Sequence, residues 1–225
     1  MGWLDWLIVP PCCLCQRFAK RGVGCFCLDC AEQLQQQSYP AWDGVGPTSQ
    51  LPVYAWGPYQ GLLRRALQQL KYHRQPRVAT VLGRWMGQAW NQAALAAPRS
   101  LVVVPIPLHL DRLRQRGYNQ AELLSREFCA TTGLAHGARI LERVQVTQPQ
   151  FGLSRSQRQE NLQRAFQLKA YPKGGVLLLD DIYTTGATIS TASEVLTAAG
   201  VQVAGVVVVA RAELQSQSHD QPIQA

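Results

Sequence analysis

The sequence predicts an α/β protein, a largely parallel sheet with helices on both faces, preceded by a small cysteine-rich module. Three observations carry that expectation. Short, almost unbroken apolar runs at Leu101–Pro107, Val176–Leu179 and Val201–Ala210 read as strands buried on both faces. The segments between them repeat their apolar residues at helical spacing. Six of the seven cysteines fall between Cys12 and Cys30, which sets the N-terminal part of the chain apart.

In order along the chain, Leu51–Trp56 reads as a short strand after a Gly/Pro-bearing stretch, Tyr39–Pro47. Gly61–Tyr72 puts Leu62, Leu63, Ala66, Leu67 and Leu70 on one helical face, and Val78–Leu95 reads as a second helix. The Leu101 strand ends in prolines, and Asn119–Thr132 is helical up to Gly133. Arg155–Phe166 is expected to be helical. After the Val176 strand and a loop, Ala187–Ala199 is a helix closed by Gly200, and the Val201 strand follows. The organisation expected is a cysteine module at 1–40, a linker and edge strand at 41–58, the main domain at 59–213 and a polar tail at 214–225.

With 47% hydrophobic and only 16% charged residues among 225, a disordered chain is excluded. No apolar run reaches the roughly 20 residues that cross a bilayer. Met1–Val9 has no basic start, contains Asp5 and runs at once into Pro10 and Pro11, so it is read as an amphipathic lead-in rather than a signal peptide, and the compartment expected is the cytoplasm. The net charge is +8, and arginine supplies 18 of the 22 cations. Residues 112–164 alone hold nine Arg and no Lys against four Glu. Planar guanidinium groups suit phosphates, so nucleic acid, a nucleotide or a sugar phosphate is a fitting partner, the alternative being a solvated basic surface.

Cys12-x2-Cys15 and Cys27-x2-Cys30 form two CxxC pairs. In a reducing compartment this pattern reads as tetrahedral Zn2+ held by Cys12, Cys15, Cys27 and Cys30, a structural staple with no open coordination position. Cys13 and Cys25 complicate the assignment, since Cys25 competes with Cys27; Cys27 is preferred because it alone makes a CxxC with Cys30. A redox role for one CxxC is the lesser reading. Cys129 reads as a small core residue.

The richest stretch is Val176-Leu-Leu-Leu-Asp-Asp-Ile-Tyr-Thr-Thr-Gly-Ala-Thr188. An apolar strand delivers Asp180 and Asp181 to its C-terminal end, where open α/β sheets place ligands. A turn of small residues then opens a helix, and its N–H groups, with the hydroxyls of Thr184, Thr185 and Thr188, form an anion cradle. Carboxylates beside such a cradle suit a phosphorylated ribose. Neither GxxxxGK[ST] nor GxGxxG occurs.

That run resembles the phosphoribosyl pyrophosphate (PRPP) motif of type I phosphoribosyltransferases. Together with Val104-Pro-Ile-Pro-Leu108, Arg116-Gly-Tyr-Asn-Gln120, the Arg143-x3-Thr147-Gln-x-Gln150 stretch, Arg158-x2-Asn161 and the CxxC pairs, the chain resembles the ComF (GntX-like) family, which is associated with DNA uptake and use. The resemblance implies a type I phosphoribosyltransferase-like sheet and a site in which Asp180 and Asp181 meet the ribose hydroxyls, directly or through Mg2+. Thr184, Thr185, Gly186, Ala187 and Thr188 would hold the 5′-phosphate, and Arg116 and Gly117 the pyrophosphate, with Lys71 a further phosphate ligand. Arg143 opens a stretch, to Arg158, that falls where these enzymes carry a lid. A helicase-like partner in DNA uptake is implied in the same way.

One departure bears on chemistry. Purine-salvage relatives place an Asp base where this chain has Thr184, so neither base nor acceptor is named, and His73, His109 and His136 are candidates by residue type alone. Three functions follow: transfer from PRPP to an unknown acceptor, PRPP binding without transfer in a regulatory or scaffold module, and single-stranded DNA binding. Against the last, the cysteine module is electrically balanced and the basic stretch interleaves only Tyr118, Phe128 and Phe151.

Overall fold

A computed structural model describes residues 10–18, 22–39, 51–93, 100–144 and 165–212. Strand β1 (Gly22–Val23) and β2 (Phe26–Cys27) form a hairpin that leads into α1 (Leu28–Gln36). Then follow β3 (Val53–Pro58), α2 (Gly61–Tyr72), α3 (Arg77–Gln92), β4 (Val102–Pro105), α4 (Leu110–Arg116) and α5 (Gln120–Thr132). Short strands β5 (Ala135–His136), β6 (Leu141–Arg143) and β7 (Phe166–Leu168) precede β8 (Val176–Tyr183), α6 (Ala187–Ala198) and β9 (Val203–Arg211). The main sheet has the order β3-β9-β8-β4-β5 and is parallel throughout, as the apolar runs predict.

The pleat explains those runs. Val103, Leu177, Leu179, Val207 and Val209 join a core built with α2, α3 and α5, while Val102, Val104, Val176, Leu178, Val206 and Val208 join a second core with α6. Consecutive residues point to opposite faces, and both faces are covered, so no position in the run is polar. On α2, Leu63, Ala66, Leu67 and Leu70 are buried at helical spacing. The helices α3 and α5 pack so closely that a Cβ on Gly83 would lie 2.6 Å from the Leu124 carbonyl oxygen, and one on Gly87 would lie 2.6 Å from the Thr131 Cβ. Only glycine fits either place.

The cysteine module is docked on this core rather than tethered to it. Trp85 of α3 stacks between Phe26 of β2 (centroids 6.1 Å apart) and Trp56 of β3 (5.7 Å), and Arg65 donates to the Leu14 carbonyl at 2.9 Å. One expectation needs revision. The helix expected over Arg155–Phe166 lies almost wholly outside the described residues, and its described end is not helical: Phe166 opens β7 and pairs with Arg143 of β6. The turn after β4 contains a helix, α4, whose start is capped by His109, with the Asp111 N–H donating to Nδ1 at 3.3 Å. No helix among the described residues is long and apolar enough to cross a membrane.

Candidate functional site

Strand β8 runs four residues beyond the apolar run Val176–Leu179, so the acidic pair lies within the strand, at the carboxyl end of the sheet. Alternation therefore sends Asp180 and Asp181 to opposite faces. Asp181, buried, turns toward α2, where its Oδ2 lies 2.6 Å from Lys71 Nζ. The two side chains keep only 5% and 17% of their exposure. That oxygen has no well-aligned hydrogen-bond donor among the described residues, so the contact is an ion pair and not a directed hydrogen bond.

Asp180 is half-buried. Burial, and after it the charge of Asp181, push its carboxyl well above the ordinary carboxylate range. The Asp181 N–H, donated to Asp180 Oδ1 at 2.8 Å, and the charge of Lys71 act the other way. Arg143 ends β6 over the ring of Phe166, 5.4 Å from its centroid. Burial first, then Arg112, hold its guanidinium below its ordinary value, and Asp180 pulls it back. Lys71 is thus the ion-pair partner of Asp181, and its charge also reaches Asp180.

Beyond Tyr183 the chain turns through Thr184, Thr185 and Gly186. Gly186 has φ +78°, and a Cβ there would meet the Tyr183 hydroxyl at 2.4 Å, so the turn needs glycine twice over. It opens α6, which has no side-chain cap and no acidic residue in its first turn, and Thr184, Thr185, Ala187 and Thr188 are exposed around it. The Ala187 N–H points at Thr185 Oγ1, 3.4 Å away. A cavity of about 860 Å3 opens against this turn, lined by Tyr183, Thr185, Gly186, Ala187, Ser190 and Glu194 among others. Asp180, Asp181 and Lys71 lie outside that lining.

Arg116 and Gly117 end α4, Gly117 in the left-handed region at φ +86°. Three ties join this segment to the end of α2 that carries Lys71. Tyr118 donates its hydroxyl to the Leu70 carbonyl, Arg74 donates to the Gln115 carbonyl at 3.2 Å, and Arg116 lies over the Tyr72 ring, 6.0 Å from its centroid. Arg116 also donates to Gln120 Oε1. Sequence reasoning passed over Tyr72 because it lies outside the basic stretch; it is 71% exposed. Of the histidines, His136 pairs in β5 with Val103, toward the other end of β4, and bonds Ser125 Oγ at 2.8 Å. His109 is taken up as the α4 cap. Thr147, Gln148, Gln150, Arg158 and Asn161 lie outside the described residues.

In the cysteine module the Sγ atoms of Cys12, Cys15, Cys27 and Cys30 all lie within 4.8 Å of one another. The Cys15–Cys27 separation, 3.7 Å, matches the edge of a tetrahedron with metal–sulfur bonds of about 2.3 Å. Arg17, through its backbone N–H and its side chain, lowers the Cys15 thiol to about 6, which favours the thiolate that a metal needs. Cys13 and Cys25 are not part of this group. They face each other, 3.0 Å apart.

No family model matches the chain. It is 32% identical to Competence protein F of Haemophilus influenzae over 179 residues, 77% of this chain and 74% of that protein. It is 28% identical to DNA utilization protein YhgH of Salmonella typhimurium, over 82% of this chain and 83% of that protein. With YhgH of Escherichia coli K12 it shares 30% identity over 64% of its length and 66% of the relative's. With such identity running through most of both chains, over a parallel α/β sheet that bears a four-cysteine module, the chain belongs to the ComF family.

Proposed function

We propose that this protein binds PRPP with Mg2+ and displaces its pyrophosphate with an acceptor, in the service of DNA uptake and utilisation. Its family supports the second half of that statement, since relatives are named for competence and DNA utilization. One observation carries the first half. The central strand β8 presents Asp180 and Asp181 at the carboxyl end of the sheet and passes, through a Gly186 turn, into an uncapped helix.

In this reading residues 59–213 form the ligand-binding domain, and 1–40 a metal module docked on it. Thr184, Thr185, Gly186, Ala187 and Thr188 receive the 5′-phosphate, and Asp180 meets the ribose hydroxyls, with Asp181 behind it on the other face of the strand, paired with Lys71. Lys71, Arg116 and Gly117 meet the pyrophosphate, and Arg143 neutralises charge as it departs. A divalent cation fits beside Asp180, whose carboxyl is held above the ordinary carboxylate range by burial and then by the charge of Asp181; when bound, Mg2+ would draw charge from the leaving pyrophosphate. The four thiolates suit Zn2+ in a closed, structural site.

Calorimetric titration of PRPP with Mg2+ into the wild type and into Asp180→Asn/Asp181→Asn tests the reading. Micromolar binding, about −8 kcal/mol, should be seen and should vanish in the variant. A folded wild type that binds no PRPP would sink it and leave an interaction module of the DNA-uptake machinery.

A second reading, single-stranded nucleic-acid binding, gains from Tyr72. The fold brings this exposed aromatic under Arg116 of α4, the helix that also carries Arg112 and Arg114, which supplies the stacking surface that the basic stretch lacks in sequence. Binding to an oligonucleotide should then fall steeply with salt and be abolished by charge reversal at Arg112 and Arg114.

A further inference from the structure

Four of the six clustered cysteines are placed to hold a metal, which leaves Cys13 and Cys25 without a role. These two sulfurs are 3.0 Å apart, while a disulfide bond is about 2.05 Å. Closing the gap needs roughly 1 Å of sulfur movement. The backbone is already in place, because the Cys13 N–H donates to the Cys25 carbonyl at 3.0 Å. Cys13 is buried, whereas Cys25, at the turn between β1 and β2, is partly open to solvent. Cys13 sits in the loop of the first CxxC, and Cys25 in the hairpin that delivers Cys27 of the second.

We propose that Cys13 and Cys25 form a reversible disulfide site, oxidised by small peroxides, that ties the two metal-binding knuckles together without touching the metal ligands. The accessible Cys25 sulfur attacks one oxygen of hydrogen peroxide. The O–O bond breaks, one water leaves with the thiol proton, and Cys25 becomes a sulfenic acid. The Cys13 sulfur then displaces that hydroxyl, the S–S bond forms, and the second thiol proton leaves as water. Two thiols lose two electrons and one peroxide becomes two waters. A dithiol reductant reverses the bond by thiol–disulfide exchange.

The bridge matters because a metal held by two knuckles is released when they part. Cys12 and Cys15 come from one knuckle, Cys27 and Cys30 from the other, and the new bond closes the chain between them. Metal release should therefore slow once the bridge is formed. The proposal is independent of the PRPP reading, since Cys13 and Cys25 lie in the cysteine module and not in the Asp180–Thr188 turn.

The experiment uses the full-length protein loaded with zinc. It is treated with hydrogen peroxide, and free thiols are then alkylated and the peptides mapped by mass spectrometry. The expected result is a Cys13–Cys25 linkage, one zinc retained, and zinc transfer to a chromogenic chelator slowed by about tenfold relative to the reduced protein. Dithiothreitol should restore the original rate. Cys25→Ser and, separately, Cys13→Ser should keep zinc and lose the peroxide effect; whichever variant folds serves. Recovery of both Cys13 and Cys25 as free thiols after oxidation would overturn the proposal. So would a linkage to a metal-ligand cysteine with loss of zinc, or an unchanged rate of zinc transfer in the bridged protein.

Discussion

Replacing Lys71 by Met should destabilise the protein more than any other single change in the candidate site. The ammonium lies 2.6 Å from Asp181, and both groups are largely enclosed. At an effective dielectric of about 20 such a pair attracts by ~6 kcal/mol, most of which desolvation offsets. The variant does not refund that desolvation: it leaves a buried carboxylate with no cation, at a cost of about 3–5 kcal/mol. Lys71 keeps 17% exposure, which places the expected loss near the lower end, about 3 kcal/mol, or a fall in Tm of roughly 6–12 °C. Asp181→Asn should cost about 1 kcal/mol, because the freed ammonium can swing to water. The double variant leaves no buried charge unpaired, so a urea-denaturation cycle should return a coupling of about 2 kcal/mol. The reasoning fails if Lys71→Met lies within about 0.5 kcal/mol of wild type at equal m-value, or if the two single effects simply add.

Asp180→Asn should raise stability at pH 7 by on the order of 1 kcal/mol. The Asp180 carboxyl titrates above its unfolded value, so the folded state loses stability as pH rises from the ordinary carboxylate range through the folded pKa. The gain should accordingly shrink as pH falls toward that range, and urea midpoints that are equal at pH 7 would count against it. Gly83→Ala forces a Cβ onto the Leu124 carbonyl oxygen, which belongs to backbone and cannot turn aside, so it should cost about 1–3 kcal/mol in chemical denaturation despite the better helix former. Cys27→Ser with Cys30→Ser should abolish zinc binding and change the fluorescence of Trp85, which Phe26 covers; a full equivalent of zinc in the purified variant would remove the four-cysteine site.

The parallel sheet was legible because its strands are buried on both faces, which leaves an apolar run that no loop imitates. The Asp180–Thr188 turn was legible for a related reason: a carboxylate pair directly after such a run has few structural uses. Partners drawn from distant segments were hidden. Lys71 is expected from the sequence only as a further phosphate ligand, and only α2 crossing the carboxyl end of β8 makes it the partner of Asp181. Tyr72 falls 40 residues before the start of the basic stretch and joins it only because α4 folds back onto α2. Short elements such as α4, β5 and β6–β7 carry too few residues for any period to show. Cys13 and Cys25 looked like rivals for a metal position, and their true relation, to each other, is a matter of hairpin geometry.

The alternation of β8 changes how the acidic pair has to act. Two carboxylates side by side in sequence suggest one doubly charged claw. Asp181 instead faces α2 and is neutralised by Lys71, while Asp180 lies on the other face of the strand. A phosphate that recruits Lys71 must take it from Asp181 and would leave a buried anion behind, at the cost already reckoned for Lys71→Met. On the proposed reading, a divalent cation at Asp180 would help to hold the ligand whose anion draws Lys71 away, so each should bind more tightly in the presence of the other. By linkage that preference is reciprocal. On the proposed reading the Lys71–Asp181 pair would couple the two ligands, a role that neither residue type nor spacing in the sequence could have suggested.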